Sequence, residues 1–283
     1  MSENITHLTG NDPLFDVSGR TAVVTGGFGQ IGQEFVRALA SRGAHVAVCS
    51  RSASEERIAQ TFPGEFAGTI RSYALDITSK ESIETALDSI EKDLGPIRIV
   101  VNNAGIDTQP SAPPEVSGPF EDFPEEVFRE VVETNLTGTF LMCQAAGKRM
   151  RAAGVEGSII NVGSIYGMVS PIQDIYAYKE EQTGVPFIKP VAYSAAKSGI
   201  YNLTRYCATY WGANGIRVNT LTPSGVWRDT QDATFQHNYT SRIPIKRMAQ
   251  ADEYNGALLF LASDASRYMT GSNLIVDGGW TAW

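Results

Sequence analysis

The stretch from residue 20 to residue 42 leaves few folds open to this chain. A short β-rich run, Arg20-Thr21-Ala22-Val23-Val24-Thr25, leads without a spacer into Gly26-Gly27-Phe28-Gly29-Gln30-Ile31-Gly32, and a helical pattern over 33–42 follows. Strand, glycine turn and helix in that order are the context in which a glycine-rich loop is informative. Glycine permits a tight turn and lets the backbone approach a diphosphate, whose charge is favoured at a helix N-terminus. A plain βα turn needs fewer glycines than this one holds, so the loop reads as a phosphate cradle. Gly26, Phe28, Gly29, Gln30 and Ile31 are its candidate cofactor residues.

The alternation continues along the chain. Further strands are predicted over 45–49, 71–75, 97–101, 158–162, 216–221 and 273–276, and helices over 79–94, 125–151 and 253–261. Another helix carries Tyr193 and runs to Trp211, with apolar residues at Ile200, Leu203, Tyr206 and Cys207 in a helical period. This pattern predicts an α/β chain: a single-domain, doubly wound parallel sheet of about seven strands, with helices on both faces. It overrides the two domains that length alone suggests. Residues 1–18 read as a leader and 19–283 as the catalytic domain. Two long loops, 106–124 and 168–190, follow strand C-termini, where ligands bind in such sheets, and are expected to be substrate loops.

Composition narrows the partners. A net charge of −8 lacks the basic footprint of a nucleic-acid binder. No apolar run reaches membrane-spanning length, and the polar N-terminal stretch lacks a signal core, so a cytoplasmic protein is expected. Cys49, Cys143 and Cys207 are odd in number and widely spaced, which fits neither a disulfide framework nor a zinc site. They read as buried free thiols. His7, His45 and His237 are scattered, so no metal site is expected.

The second strand ends in Ser50-Arg51. A dinucleotide fold that binds NAD carries an acidic residue near this point, for the ribose hydroxyls. A hydroxyl and a guanidinium suit a 2′-phosphate instead, so NADP is the preferred cofactor and NAD the second candidate. In Tyr193-Ser194-Ala195-Ala196-Lys197 a phenol and an ammonium lie one helical turn apart on one face. A free phenol titrates near pH ~10, and a neighbouring cation lowers that value. A tuned tyrosine can take a proton from an alcohol or give one to a carbonyl oxygen. Such a spacing also arises by chance, so its weight comes from the motifs around it.

Those motifs carry a resemblance. Over roughly 15–279 the chain resembles the short-chain dehydrogenases/reductases, whose marks appear in family order: the glycine loop, Asp76 after the third strand, Asn102-Asn103-Ala104-Gly105 after the fourth, Asn135, Ser164, Tyr193 with Lys197, and Asp277-Gly278-Gly279. The resemblance implies a Rossmann-type fold and a hydride transfer between a nicotinamide and a secondary alcohol or ketone. It implies that Tyr193 is the general acid/base, that Lys197 lowers its pKa and holds the nicotinamide ribose, and that Ser164 orients the reacting oxygen. Asn135 would hold a water linking Lys197 to solvent. Asp76 and Ile77 would meet the adenine edge, Asn103 with Ala104 and Gly105 the adenosine ribose side, and Val226 the cofactor from the loop after the sixth strand. It also implies a small-molecule substrate and self-association, as a homotetramer or else a dimer, through outer residues such as Phe140, Cys143 and Tyr206.

Four features depart from the family's common pattern. Gln30 stands where the short-subunit branch has glycine. The loop after the sixth strand is Pro223-Ser224-Gly225 rather than Pro-Gly. Arg228 stands where threonine is usual. Residues 168–190 separate Ser164 from Tyr193 far more widely than in common members. That insertion mixes aromatic and polar side chains, which suits a polyhydroxylated ligand. Ser164-Ile165-Tyr166-Gly167 with Ile175-Tyr176 also resembles a subgroup tied to sugar and surface-glycan metabolism. The expected substrate is therefore a sugar, polyol or sugar-acid derivative. The insertion is expected to wall or cover it, with Tyr166 and Tyr176 or Tyr178 turned inward. Two alternatives remain: a sugar-nucleotide epimerase or dehydratase with retained cofactor, which the glycine pattern favours, and a non-catalytic dinucleotide sensor.

Overall fold

The computed structural model describes residues 12–110 and 112–283. The first part of the expected leader, residues 1–11, lies outside the described residues. Seven strands form one sheet: β1 (Thr21–Thr25), β2 (His45–Ser50), β3 (Ile70–Ala74), β4 (Ile97–Asn102), β5 (Gly157–Val162), β6 (Ile216–Pro223) and β7 (Asn273–Val276). Their order is β3-β2-β1-β4-β5-β6-β7, and every neighbouring pair is parallel. The chain starts mid-sheet, winds outward to β3, then returns to β4 beside β1. That reversal opens a crevice at the C-terminal ends of β1 and β4, where ligands of such sheets sit.

Nine helices flank the strands: α1 (Gln30–Ser41), α2 (Glu55–Thr61), α3 (Lys80–Leu94), α4 (Glu125–Val132), α5 (Gly138–Ala153), α6 (Tyr178–Thr183), α7 (Val191–Trp211), α8 (Ala233–Ser241) and α9 (Asn255–Ala262) are those among the described residues. Side-chain alternation along the strands divides the core in two. Val23, Ala47, Val100 and Ile159 face α3, α5 and α7. Ala22, Val24, Val48, Ile99 and Ile160 face α1 and α9. Both faces are apolar because both are covered, which is why these strands read as continuous hydrophobic runs. Val17, fully buried, joins the second core, so packing begins ahead of β1. The three cysteines are buried free thiols. No helix among the described residues is long and apolar enough to cross a membrane.

The helix expected over 125–151 is interrupted. Between α4 and α5 lies a π-helical turn, Glu133–Thr137, with fully buried Asn135 inside it. A π turn inserts one extra residue into the helical ladder, and such turns gather at functional sites. Neither long loop is structureless. The segment 168–190 contains α6 and a 3-10 turn over Gln173–Tyr176. It is joined to 106–124 by the Ile188 amide, which donates to the Ser117 carbonyl at 2.9 Å.

The packing of α5 on α7 is tight enough to reverse an ordinary propensity effect. A Cβ added at Gly147 would lie 2.3 Å from the Trp211 ring. Gly→Ala inside a helix usually stabilises by up to about 1 kcal/mol, whereas overpacking a core costs about 1–3 kcal/mol. Gly147→Ala is therefore expected to lower the free energy of unfolding in urea, and Trp211→Leu in the same chain should recover part of the loss. A more stable Gly147→Ala single variant would contradict this packing.

Candidate active site

A cavity of about 420 Å³ opens at the C-terminal ends of the central strands. Of the sequence-derived site residues, Gly26, Gly29, Gln30, Ile31, Asn103, Ala104, Gly105, Ser164, Tyr193, Lys197 and Val226 line it. Its floor is the turn between β1 and α1. Gly26 adopts φ +63°, and the Gly29 amide closes the turn on the Gly26 carbonyl at 2.9 Å. A Cβ at Gly32 would lie 2.2 Å from that same carbonyl, and one at Gly26 would lie 2.9 Å from Ala104 Cα. Only glycine fits at either place. Asn103 braces the turn by donating its amide to the carbonyls of Thr25 and Gly26, each at 3.1 Å. The N-terminus of α1 has no side-chain cap. Its first N–H groups are therefore free to meet an anion, helped by the helix dipole. A dinucleotide diphosphate fits this cradle.

The other cofactor candidates lie off the cavity. Phe28 is buried against Phe62, with the Arg57 guanidinium 4.3 Å above its ring. Arg57 also donates to Ser52 and so adds a cation that the sequence reading did not single out, beside Ser50 and exposed Arg51. Asp76 accepts from the hydroxyl of Thr78 at 2.7 Å and its amide at 2.9 Å. Those bonds first, and the charge of Arg51 last, hold its carboxyl below the usual carboxylate range. Ile77 packs where a Cβ on Gly138 of α5 would stand.

Two of the departures from the family pattern meet across the cleft. The Gln30 amide donates to the Trp227 carbonyl at 2.7 Å, and its oxygen accepts from Arg228 Nε at 2.5 Å. The start of α1 is thus tied to the loop after β6. Gln231 adds a second tie within that loop, accepting from the Arg228 amide and donating to the Val226 carbonyl.

The reacting end is built on α7. Tyr193, Lys197 and Tyr201 recur every fourth residue and so share one face of the helix. Lys197 is buried and donates to the Val162 carbonyl at 2.7 Å. Burial pulls its ammonium down to about 8, against an opposing pull from the Asp107 charge. Tyr201 accepts from the Ser164 amide at 3.3 Å and donates to the Ser164 carbonyl at 2.7 Å, fixing that residue's backbone. Gly163 is required here, because a Cβ would lie 2.9 Å from the Tyr201 hydroxyl. The phenol of Tyr193 is pushed up, first by burial and then by Asp107, while the Ser164 hydroxyl pulls the other way. Lys197 Nζ lies 5.8 Å from the Tyr193 ring centre, and burial sets the direction of the phenol's shift. Asn135 does not line the cavity. Its side chain donates to the Ile106 carbonyl and accepts from the Ile106 amide, both at 2.8 Å. Gly105 keeps open the space between Asn135 and Lys197, since a Cβ there would stand 2.9 Å from Asn135 Oδ1 and 3.9 Å from Lys197 Nζ.

Both long loops reach the cavity. Asp107 and Gln109 come from one, Tyr176 and Lys189 from the other. The hydroxyls of Tyr166 and Tyr176 lie 3.3 Å apart on the wall, whereas Tyr178 is buried elsewhere. Behind them, Trp280 stacks on Tyr239 at 4.5 Å, so the C-terminal tail supports this end. Asp107, Lys189, Tyr201 and Tyr239 are the residues that sequence reasoning missed. For Tyr201 a signal existed, since it keeps the four-residue spacing of Tyr193 and Lys197 on α7.

The family model described as enoyl-(acyl carrier protein) reductase matches residues 29–281. D-threitol dehydrogenase of Mycolicibacterium smegmatis is 33% identical, over 94% of this chain and 95% of that protein. The crystal structure of gluconate 5-dehydrogenase from Burkholderia cenocepacia, in complex with NADP and tartrate, superposes with a TM-score of 0.79 at 31% identity, covering 96% of this chain and 98% of that one. A short-chain dehydrogenase from Leptospira borgpetersenii with bound NAD+ gives a TM-score of 0.81 at 31% identity, covering 99% and 100%. Sheet order, glycine cradle and matched length agree, and the chain belongs to the short-chain dehydrogenase/reductase family.

Proposed function

We propose that this protein is an NADP-preferring oxidoreductase that interconverts a secondary alcohol and a ketone on a sugar, polyol or sugar acid. The observation that carries this reading is the convergence of Ser164, Tyr193 and Lys197 at one end of a cleft whose other end is a glycine phosphate cradle. The names of the relatives on polyols and sugar acids support the substrate class. The nicotinamide, when bound, would supply the hydride donor or acceptor. The protein's own groups manage the proton. Tyr193, kept protonated by burial, is the acid that serves a carbonyl oxygen, and in the reverse direction Lys197 favours the phenolate that takes the alcohol proton. Ser164 Oγ holds the reacting oxygen and, with Tyr193, stabilises the alkoxide that develops on it. A lysine titrating at about 8 can pass a proton near neutral pH, and the space beside Gly105 is the place for a relaying water between it and Asn135. The unpaired thiols suit a reducing cytoplasm.

Self-association through α5 and α7 belongs to the same reading. Phe140, Tyr206 and Tyr210 stand exposed on these helices, with the two tyrosine rings stacked at 6.1 Å. Cys143 is not part of that outer layer. It is buried in the core, close to Asn102 and Asn161, because its side chain turns toward the sheet. Trp283 is exposed at the tail, with Lys246 over its ring, while Trp280 is buried.

Tyr193→Phe should cut turnover by about a hundredfold or more, the scale of a lost acid/base catalyst. Its NADPH affinity, read by fluorescence titration, should stay near wild type. A variant keeping a tenth of the activity would overturn the role. Arg51→Asp should move the ratio of kcat/KM for NADP over NAD toward NAD, since it replaces an attraction for the 2′-phosphate with repulsion. A wild-type protein already strongly preferring NAD would refute the reading of Ser50-Arg51. Light scattering at micromolar concentration should report a tetramer or dimer, and Tyr206→Glu with Phe140→Glu should shift it toward monomer. A wild-type monomer would end this part of the proposal.

A further inference from the structure

The end of the cavity beyond Tyr193 holds one buried cation and one partly exposed anion, and they are paired. Lys189 is 6% exposed. Its Nζ donates to both carboxylate oxygens of Asp107 and to the Thr108 carbonyl, each at 2.7 Å. An ammonium carries three protons, so this one has no donor left for a ligand. Its backbone is equally fixed: the Lys189 amide donates to Gln173 Oε1 at 2.9 Å, and Gln173 Nε2 donates to the Lys189 carbonyl at 3.1 Å.

Asp107 is the opposite case. Its side chain is 28% exposed, and it lines the cavity. A carboxylate has about four lone-pair positions, and Lys189 uses only two. After burial itself, the charge of Asp107 is what raises the Tyr193 phenol, so the carboxylate stands within electrostatic reach of the reacting group. The cavity's other two cations are each engaged elsewhere: Lys197 donates to the Val162 carbonyl and belongs to the proton path, and Arg228 is bonded through Nε to Gln30 beside the diphosphate cradle. Gln109 and the hydroxyl pair of Tyr166 and Tyr176 complete a neutral, hydrogen-bonding wall.

Resting on the function proposed above, we infer that Asp107 is a specificity-determining residue, held and neutralised from behind by Lys189, that accepts hydrogen bonds from hydroxyl groups of the substrate near its reacting carbon, and that the substrate is a neutral polyol or sugar rather than a sugar acid. A hydroxyl offers protons to the free lone pairs of Asp107. A substrate carboxylate at the same place offers Asp107 only lone pairs and a like charge, and it would lose its water against another carboxylate.

The test is steady-state kinetics with NADP on a panel of linear polyols and the aldonates of matching length and configuration. At least one polyol should exceed its aldonate by more than about tenfold in kcat/KM, the scale of a hydrogen bond to a charged group. Asp107→Asn should raise the KM for that polyol by about tenfold and shrink the polyol-to-aldonate ratio, with NADPH affinity unchanged. Because Asp107→Asn strands the charge of Lys189, the double variant Asp107→Asn/Lys189→Met, which removes both charges, guards against a mere folding defect. It should lose the discrimination while keeping NADPH affinity and a wild-type-like melting transition. A wild-type preference for the aldonate overturns the inference, as do variants that keep both the KM and the ratio. Should NADPH bind while no polyol, sugar or aldonate reacts, the proposed function itself falls and takes this inference with it.

Discussion

The hydrogen bond from Lys197 to the carbonyl of Val162 is the contact on which the site depends. It anchors α7 to the C-terminal end of β5 at the point where the strand delivers Gly163 and Ser164. An unpaired buried ammonium would cost several kcal/mol, so the bond also makes the burial of Lys197 tolerable. Tyr201, one turn further, grips both backbone polar groups of Ser164. Tyr193, one turn earlier, comes to the same strand end. A single helical face therefore sets three groups against one strand terminus. Their mutual geometry follows from helix pitch and strand register rather than from loop conformation.

Burial gives these groups their chemistry as well as their places. It raises the phenol of Tyr193 and lowers the ammonium of Lys197, which inverts the order of the two titrations and moves them apart. Asp107 acts on both in the same direction, favouring the proton on each. Neutral phenol and charged lysine are thus the resting arrangement of the protein alone at neutral pH.

Much of this was legible in the chain. The five inner strands declare themselves because each is buried on both faces, and the helix carrying Tyr193 because its period is clean. The glycine turn was legible because Gly26 and Gly32 stand where no side chain fits. What escaped depends on distance or on exceptions to regular geometry. Asp107 and Lys189 are paired by the way two loops fold toward each other, which no local pattern encodes. The π turn at Asn135 looks like ordinary helix in sequence, since its residues are no worse as helix formers than their neighbours. Gln30 could be seen to break the family's glycine pattern, but not that it reaches the loop after β6 to bond Trp227 and Arg228.

The clamp of Gln173 on Lys189 divides the insertion between Ser164 and Tyr193 into two parts of unequal freedom. Inside it, Tyr176 and Phe187 pack at 5.1 Å and belong to the wall. The stretch 180–186 is exposed, and Gly184 turns there at φ +71° with open space around it. Chain added at that tip would be charged only the slowly growing entropy of a longer loop, about 0.6 kcal/mol for each doubling. The tip is thus the place where this scaffold can accept extra length, a tag or a grafted peptide while Lys189 and the wall beneath it stay where they are.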